Sequence, residues 1–241
     1  MRDQVAVIVG AGDAIGSAIT RKFAEAGLAV CALRRNPDRL ANLVQALCAE
    51  GHSAHAFGCD ARREEQLSEC FDRIEREIGD IAVVVFNVGA NVPMSILDTD
   101  SRKFFKIWEM ACFAGFLTGR EAARRMCERE RGTIIFTGAT ASVRGAAGFG
   151  AFASAKSGLR ALAQSMAREL GPRNIHVAHV VIDAAVDTQW IRDNVPNAEA
   201  LKASDGIVKP EDLADSYLML HRQPRNAWTF ELDIRPWNER W

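Results

Sequence analysis

Gln4-Val5-Ala6-Val7-Ile8-Val9-Gly10-Ala11-Gly12-Asp13-Ala14-Ile15-Gly16 is the stretch that decides the fold of this 241-residue chain. Its first six residues form a short, valine-rich apolar run, the glycines follow at once, and residues 17–26 carry helical periodicity. The order is therefore strand, glycine turn, helix. Gly27 is placed to stop that helix, and Leu28-Ala29-Val30-Cys31-Ala32-Leu33 is a second unbroken apolar run, as a parallel strand buried on both faces produces. A glycine turn between strand and helix lets backbone N–H groups and the positive end of the helix dipole approach a pyrophosphate, where a side chain would stand in the way. Taken alone it is equally a tight connection.

The pattern then repeats along the chain. Helix-like segments at about 37–50, 63–78, 101–129, 150–170 and 210–222 alternate with strand-like ones at about 54–58, 81–87, 132–137, 175–181 and 228–234. Such alternation predicts βαβ units in one parallel sheet of about seven strands with helices on both faces, a single-domain α/β fold of the Rossmann-type, doubly wound kind spanning 1–241. A hydrophobic content of 48% over this length suits one large core. Residues 183–205 are the main irregular stretch, beyond a strand end, and read as a lid. A net charge of -1 with interspersed signs argues against nucleic acid, and no apolar run reaches the ~20 residues of a membrane span. Six scattered cysteines without a CxxC pair, and no leader before the first strand, give a cytoplasmic expectation with free thiols.

At the tip of the second strand an acidic residue would bond the ribose 2′-hydroxyl of NAD, but the chain reads Leu33-Arg34-Arg35-Asn36. Two guanidiniums there suit a 2′-phosphate, because each offers a fork to phosphate oxygens, so NADP(H) is expected over NAD(H). The plainer alternative is a pair of solvated arginines.

These residues resemble the short-chain dehydrogenase/reductase family, over nearly the whole chain. The family's Thr-Gly-x3-Gly-x-Gly motif is similar to Val9 through Gly16, with Val9 for the threonine and Ala14 for the middle glycine. Cys59-Asp60-Ala61 resembles the segment whose aspartate bonds the adenine, and Phe86-Asn87-Val88-Gly89 resembles Asn-Asn-Ala-Gly. The resemblance implies a dinucleotide site built from Gly10, Gly12, Ala14, Ile15, Gly16, Arg34, Arg35, Asp60, Ala61, Asn87, Gly89, Lys156, Val186 and Thr188. It also implies a homodimer or homotetramer acting on a small molecule that the sequence does not name.

In that family a tyrosine is the general acid or base, and a lysine four residues later binds the nicotinamide ribose and lowers the phenol's pKa. A serine orients substrate, and an asparagine holds a relay water. Gly150 to Leu159 resembles the active-site helix and fixes the register: Lys156 is kept, Phe152 holds the tyrosine position, Ala139 the serine position, and Ala111 or Cys112 the asparagine position. Thr140 and Ser142 lack the serine's spacing. Some enoyl reductases of the superfamily use a tyrosine seven residues before the lysine, but that position is Phe149. The single tyrosine, Tyr217, belongs to a late helix. A phenyl ring donates no proton, and a positioned acid is worth about 10²–10⁴ in rate.

Two carboxylates, Asp183 and Asp187, flank the expected nicotinamide site, where the family has Pro-Gly-x-x-x-Thr. Either could supply a proton if burial raised its pKa, though aspartates so placed more often cap the next helix. His176 and His179 lie three apart on a strand, on opposite faces, which disfavours a shared metal. Arg144 is a possible anion contact or a solvated loop residue. Trp228, Trp237 and Trp241, near the C-terminus, read as core or dimer contacts. The expectation is an NADP(H)-binding oxidoreductase with a degenerate active site. The alternative is a catalytically inactive NADP(H) sensor or oligomeric subunit, and an unliganded scaffold ranks third.

Overall fold

The structure, a computed structural model, describes residues 3–12, 14–89 and 91–239. Asp13 of the glycine turn and Trp241 lie outside the described residues. The sheet has seven strands: β1 (Asp3–Val9), β2 (Ala29–Arg34), β3 (Ala54–Gly58), β4 (Gly79–Phe86), β5 (Gly132–Thr137), β6 (Ile175–Ile182) and β7 (Glu231–Ile234). All pairings are parallel, in the order β3-β2-β1-β4-β5-β6-β7. Period-2 alternation in β1 explains why its run is apolar throughout: Val5, Val7 and Val9 enter one core layer, Ala6 and Ile8 the other.

The helices are α1 (Ile15–Glu25), α2 (Ala41–Ala49), α3 (Glu64–Glu77), α4 (Ser101–Trp108), α5 (Ala114–Arg129), α6 (Gly150–Leu170), α7 (Gln189–Asn194), α8 (Ala198–Ala203) and α9 (Pro210–Arg222). On one face of the sheet, Leu67 and Phe71 of α3, Leu117 of α5 and Leu159 of α6 close the first layer. On the other, Ile19 and Phe23 of α1 meet Leu213 and Tyr217 of α9. Among the described residues no helix is long and apolar enough to cross a membrane.

Three sequence expectations need correction. The helix expected over 101–129 is interrupted by a π-helical turn at Glu109–Phe113, which carries Ala111 and Cys112. Apolar periodicity does not register one extra residue per turn, and such π-bulges recur at functional sites. Residues 37–40 form a 3₁₀ turn ahead of α2, with Asn36 accepting from the Asp38 amide. The last strand starts at Glu231, since 225–227 is another 3₁₀ turn.

Two histidines, the buried His179 of β6 and the half-buried His221 of α9, tie the fold to pH. His179 accepts or donates at Nδ1 to Glu231 at 3.0 Å, and His221 at Nδ1 to Thr133 Oγ1 at 3.0 Å. Burial pushes both imidazoles down to about 4. Above the ordinary 6.5 both are neutral, folded or unfolded. Between about 6.5 and 4 the unfolded chain binds protons that the fold refuses, so stability falls as pH falls. The loss should reach about 3 kcal/mol for the fully buried His179 and less for His221. Urea melts at about pH 7 and about pH 5 test this, with His179→Gln flattening the difference; a midpoint indifferent to pH would exclude it.

Candidate active site

β1 sits between β2 and β4, so the chain's crossovers diverge at its C-terminal end, and a crevice opens there. The glycine turn roofs one side of it. Gly10 has φ +89°, and a Cβ on it would lie 2.6 Å from the Asn87 carbonyl oxygen; one on Gly16 would lie 2.5 Å from the Gly10 carbonyl oxygen. Both positions therefore exclude side chains, whereas a Cβ on Gly12 would find its nearest atom 4.0 Å away. The Gly10 amide donates to Leu33 O at 3.0 Å, and Asn87 Nδ2 donates to Gly10 O at 3.2 Å, pinning the turn to β2 and β4. No side chain caps α1 at Ala14, which leaves its N-terminus facing the crevice with room for an anion.

Below the turn lies a cavity of about 220 Å³ lined by Arg34, Arg35, Asp60, Ala61, Gly89 and Met110, with Arg62. Arg62 is the residue that sequence reasoning missed. Its Nε donates to Asp60 Oδ1 at 2.9 Å, its Nη2 to Asp60 Oδ2 at 2.6 Å, and its Nη1 to Glu109 at 3.4 Å. That guanidinium holds the Asp60 carboxyl below its ordinary range. The i,i+2 spacing of Asp60 and Arg62 was visible in the sequence, but Glu109 is brought to them only by the π-turn.

A second cavity, of about 430 Å³, continues past the turn and is lined by Gly10, Gly12, Ala14, Ile15, Gly16, Asn87, Gly89, Ala139, Phe152, Lys156, Val186 and Thr188, among others. Lys156, one turn along α6 from Phe152, is buried, and its Nζ donates to Val88 O at 3.1 Å and Thr137 O at 2.8 Å. Burial pushes its ammonium down to about 8. The Phe152 ring centroid is 6.0 Å from that Nζ. The hydroxyls nearby are engaged elsewhere. Thr140 Oγ1 donates to Asp183 at 2.5 Å, and Ser142 Oγ accepts from the Ala139 amide at 3.1 Å. Thr137 Oγ1 bonds Tyr217 Oη at 2.8 Å, a fully buried phenol whose pKa burial raises. Ala111 and Cys112 pack with Phe152 and Ala155 in a small apolar cluster.

The capping reading fails for both flanking aspartates, and the acid reading fails for Asp187. Asp183 caps no helix: buried at the end of β6, it accepts from Thr140 and from Arg144 Nη2 at 3.1 Å, and Arg235 Nη1 lies 3.5 Å away. This also corrects Arg144 from a solvated loop residue to one paired with Asp183 and Glu239. Asp187 pairs with Arg192 at 2.7 Å and Lys202 at 2.8 Å, and those bonds lower its pKa, the reverse of what a proton donor requires. The cap of α7 is Thr188, whose Oγ1 accepts from the Ile191 amide at 3.2 Å. Asp187 thus ties the short helices α7 and α8 to the segment that follows β6. A larger cleft, about 770 Å³, lies between α1 and α7, and its cations Lys22 and Arg192 are paired with Asp215 and Asp187.

Elsewhere, His176 is buried and stacked on Trp228, ring centroids 5.0 Å apart, and among the described residues no cluster of His, Cys, Asp and Glu could hold a metal. Trp237 is 79% exposed, which removes it from the core. All six cysteines are free thiols, and only Cys48 is exposed.

Comparison with known proteins agrees with this architecture. The chain is 29% identical over 231 residues to 2,3-dihydro-2,3-dihydroxybenzoate dehydrogenase of Bacillus subtilis (strain 168), covering 90% of this chain and 88% of that one. A short-chain dehydrogenase from Rhodopseudomonas palustris superposes with a TM-score of 0.85 at 46% identity, over 98% of this chain and all of the other. A metagenomic short-chain oxidoreductase crystallised with NADP has the same fold, with a TM-score of 0.84 at 24% identity over 99% of each chain. The family model described as short chain dehydrogenase matches residues 4–198, and the chain belongs to that family.

Proposed function

We propose that this protein binds NADP(H) in preference to NAD(H) and is an oxidoreductase whose active site lacks the general acid of its family. The observation that carries this reading is the pairing, in one cleft, of a buried Lys156 ammonium with the phenyl ring of Phe152. The lysine's two carbonyl partners hold it without help from any phenol, so the nucleotide half of the site survives the loss. Arg34 and Arg35 at the rim of the adenosine cavity would meet the 2′-phosphate, Ala14, Ile15 and Gly16 the pyrophosphate, and Val186 and Thr188 the carboxamide end. A bound nicotinamide would supply a hydride to an acceptor.

This chain's own contribution near the acceptor is then apolar. Phe152 and Ala139 exclude water, and Lys156 stabilises negative charge. A ketone, whose oxygen must be protonated as hydride arrives, is served poorly by such a wall. A substrate that reaches a stable product without an enzyme-borne acid is served better. The second reading, a catalytically inactive NADP(H) sensor or subunit of an oligomer, is favoured by the same two apolar positions together with the intact glycine turn. Titration with NADPH and NADH, followed by a screen of carbonyl, enoyl and imine compounds for NADPH oxidation, separates the two. Tight NADPH binding with no turnover across the panel supports the sensor. Failure to bind either dinucleotide rejects both readings, and ketone reduction at ordinary family rates rejects the missing acid.

A further inference from the structure

We propose that Arg62 is the residue that positions the adenine ring, its guanidinium plane forming the wall on which the base stacks. This rests on the dinucleotide reading above. In the family resemblance the adenine contact falls to Asp60, and that carboxylate also anchors Arg62: Oδ1 accepts from Arg62 Nε at 2.9 Å and from the Arg62 amide at 3.2 Å, and Oδ2 from Nη2 at 2.6 Å. The Asp60 amide donates to Gln66 Oε1 at 3.1 Å.

Arg62 itself is held from two sides, by Asp60 after β3 and by Glu109 on the π-turn at 3.4 Å. These bonds take three of the guanidinium's five N–H groups and fix its plane, and none of them uses its flat face. Its side chain is 17% exposed and lines the cavity, with apolar Leu33, Val88 and Ala114 among the other walls. A fixed, planar, weakly hydrated cation against a purine is a favourable stack, and the Asp60 and Glu109 clamp means that little order is lost on binding. The same ion pair neutralises the Asp60 carboxylate, which interacts with Arg35, so Asp60 does not oppose the 2′-phosphate end.

The test is equilibrium binding of NADPH, NADH and reduced nicotinamide mononucleotide, which lacks the adenosine, to the parent and to Arg62→Ala, Arg62→Lys and the milder Glu109→Gln. Base stacking on a side chain contributes a factor of roughly 10 in affinity. The expected result is a loss of about that size for NADPH and NADH alike in both Arg62 variants, a smaller loss in Glu109→Gln, and no change for the mononucleotide. A loss confined to NADPH would make Arg62 a third phosphate ligand and overturn the proposal, as would full rescue by lysine or an unchanged affinity in Arg62→Ala. Thermal melts identify any variant that fails to fold, in which case Glu109→Gln decides. If the parent binds neither dinucleotide, it is the nucleotide reading that fails, independently of Arg62.

Discussion

Replacing Phe152 with tyrosine should raise the rate of NADPH-dependent reduction of simple ketones by about 10²–10⁴, the usual worth of a positioned acid. The reason is that the ring position and the lysine beside it are already in place. The ring lines the cleft, and Lys156 Nζ lies 6.0 Å from its centroid, held by Val88 O and Thr137 O, so its charge would lower the pKa of an added hydroxyl. The single substitution should fall at the low end of the range, because Ala139 still offers substrate no hydroxyl and neither Thr140 nor Ser142 is turned to replace it. Adding Ala139→Ser should move the rate upward. Loss of NADPH absorbance, read side by side for parent, single and double variants, measures this. A parent as fast as the double variant, or a Phe152→Tyr protein that binds NADPH yet shows no gain, would show that protonation is not what limits this site.

The second large effect concerns the phosphate. The parent should bind NADPH more tightly than NADH by about 10–100-fold, and Arg34→Ala combined with Arg35→Ala should bring the two affinities together. A charge-assisted hydrogen bond is worth about 1.5–3 kcal/mol, and three arginines, Arg34, Arg35 and Arg62, line the cavity below the glycine turn beside a single carboxylate. That carboxylate, Asp60, is paired with Arg62, so it does not repel an incoming phosphate as an unpaired acid would. Tryptophan fluorescence titrations give both constants. Equal affinities in the parent would remove the role assigned to Arg34 and Arg35, and a preference that persists in the double variant would move the phosphate elsewhere.

The fold and its glycine turn were largely legible because each depends on local pattern. Unbroken apolar runs announce strands buried on both faces, and Gly10 and Gly16 announce a turn with no space for a Cβ, as the 2.6 Å and 2.5 Å approaches demonstrate. The resemblance of residues 150–159 to the family's active-site helix set Phe152 and Lys156 four apart, hence on one face of α6, and both line the same cleft. What was misread depends on charge meeting charge across long separations. Asp187 was weighed as an acid or a cap, but Arg192 and Lys202 arrive from two separate short helices. Arg144 was taken as solvated, but Asp183 lies 39 residues further along the chain and Glu239 on the C-terminal tail.

The sequence by itself determined the parallel sheet and the glycine turn, because backbone sterics and side-chain periodicity need no partner. Only the tertiary structure decided what each ionisable group does. A carboxylate's protonation, an imidazole's charge and an arginine's remaining face are set by which neighbours and how much water folding leaves beside them. At Asp187, His179 and Arg62 those neighbours come from other elements of the fold.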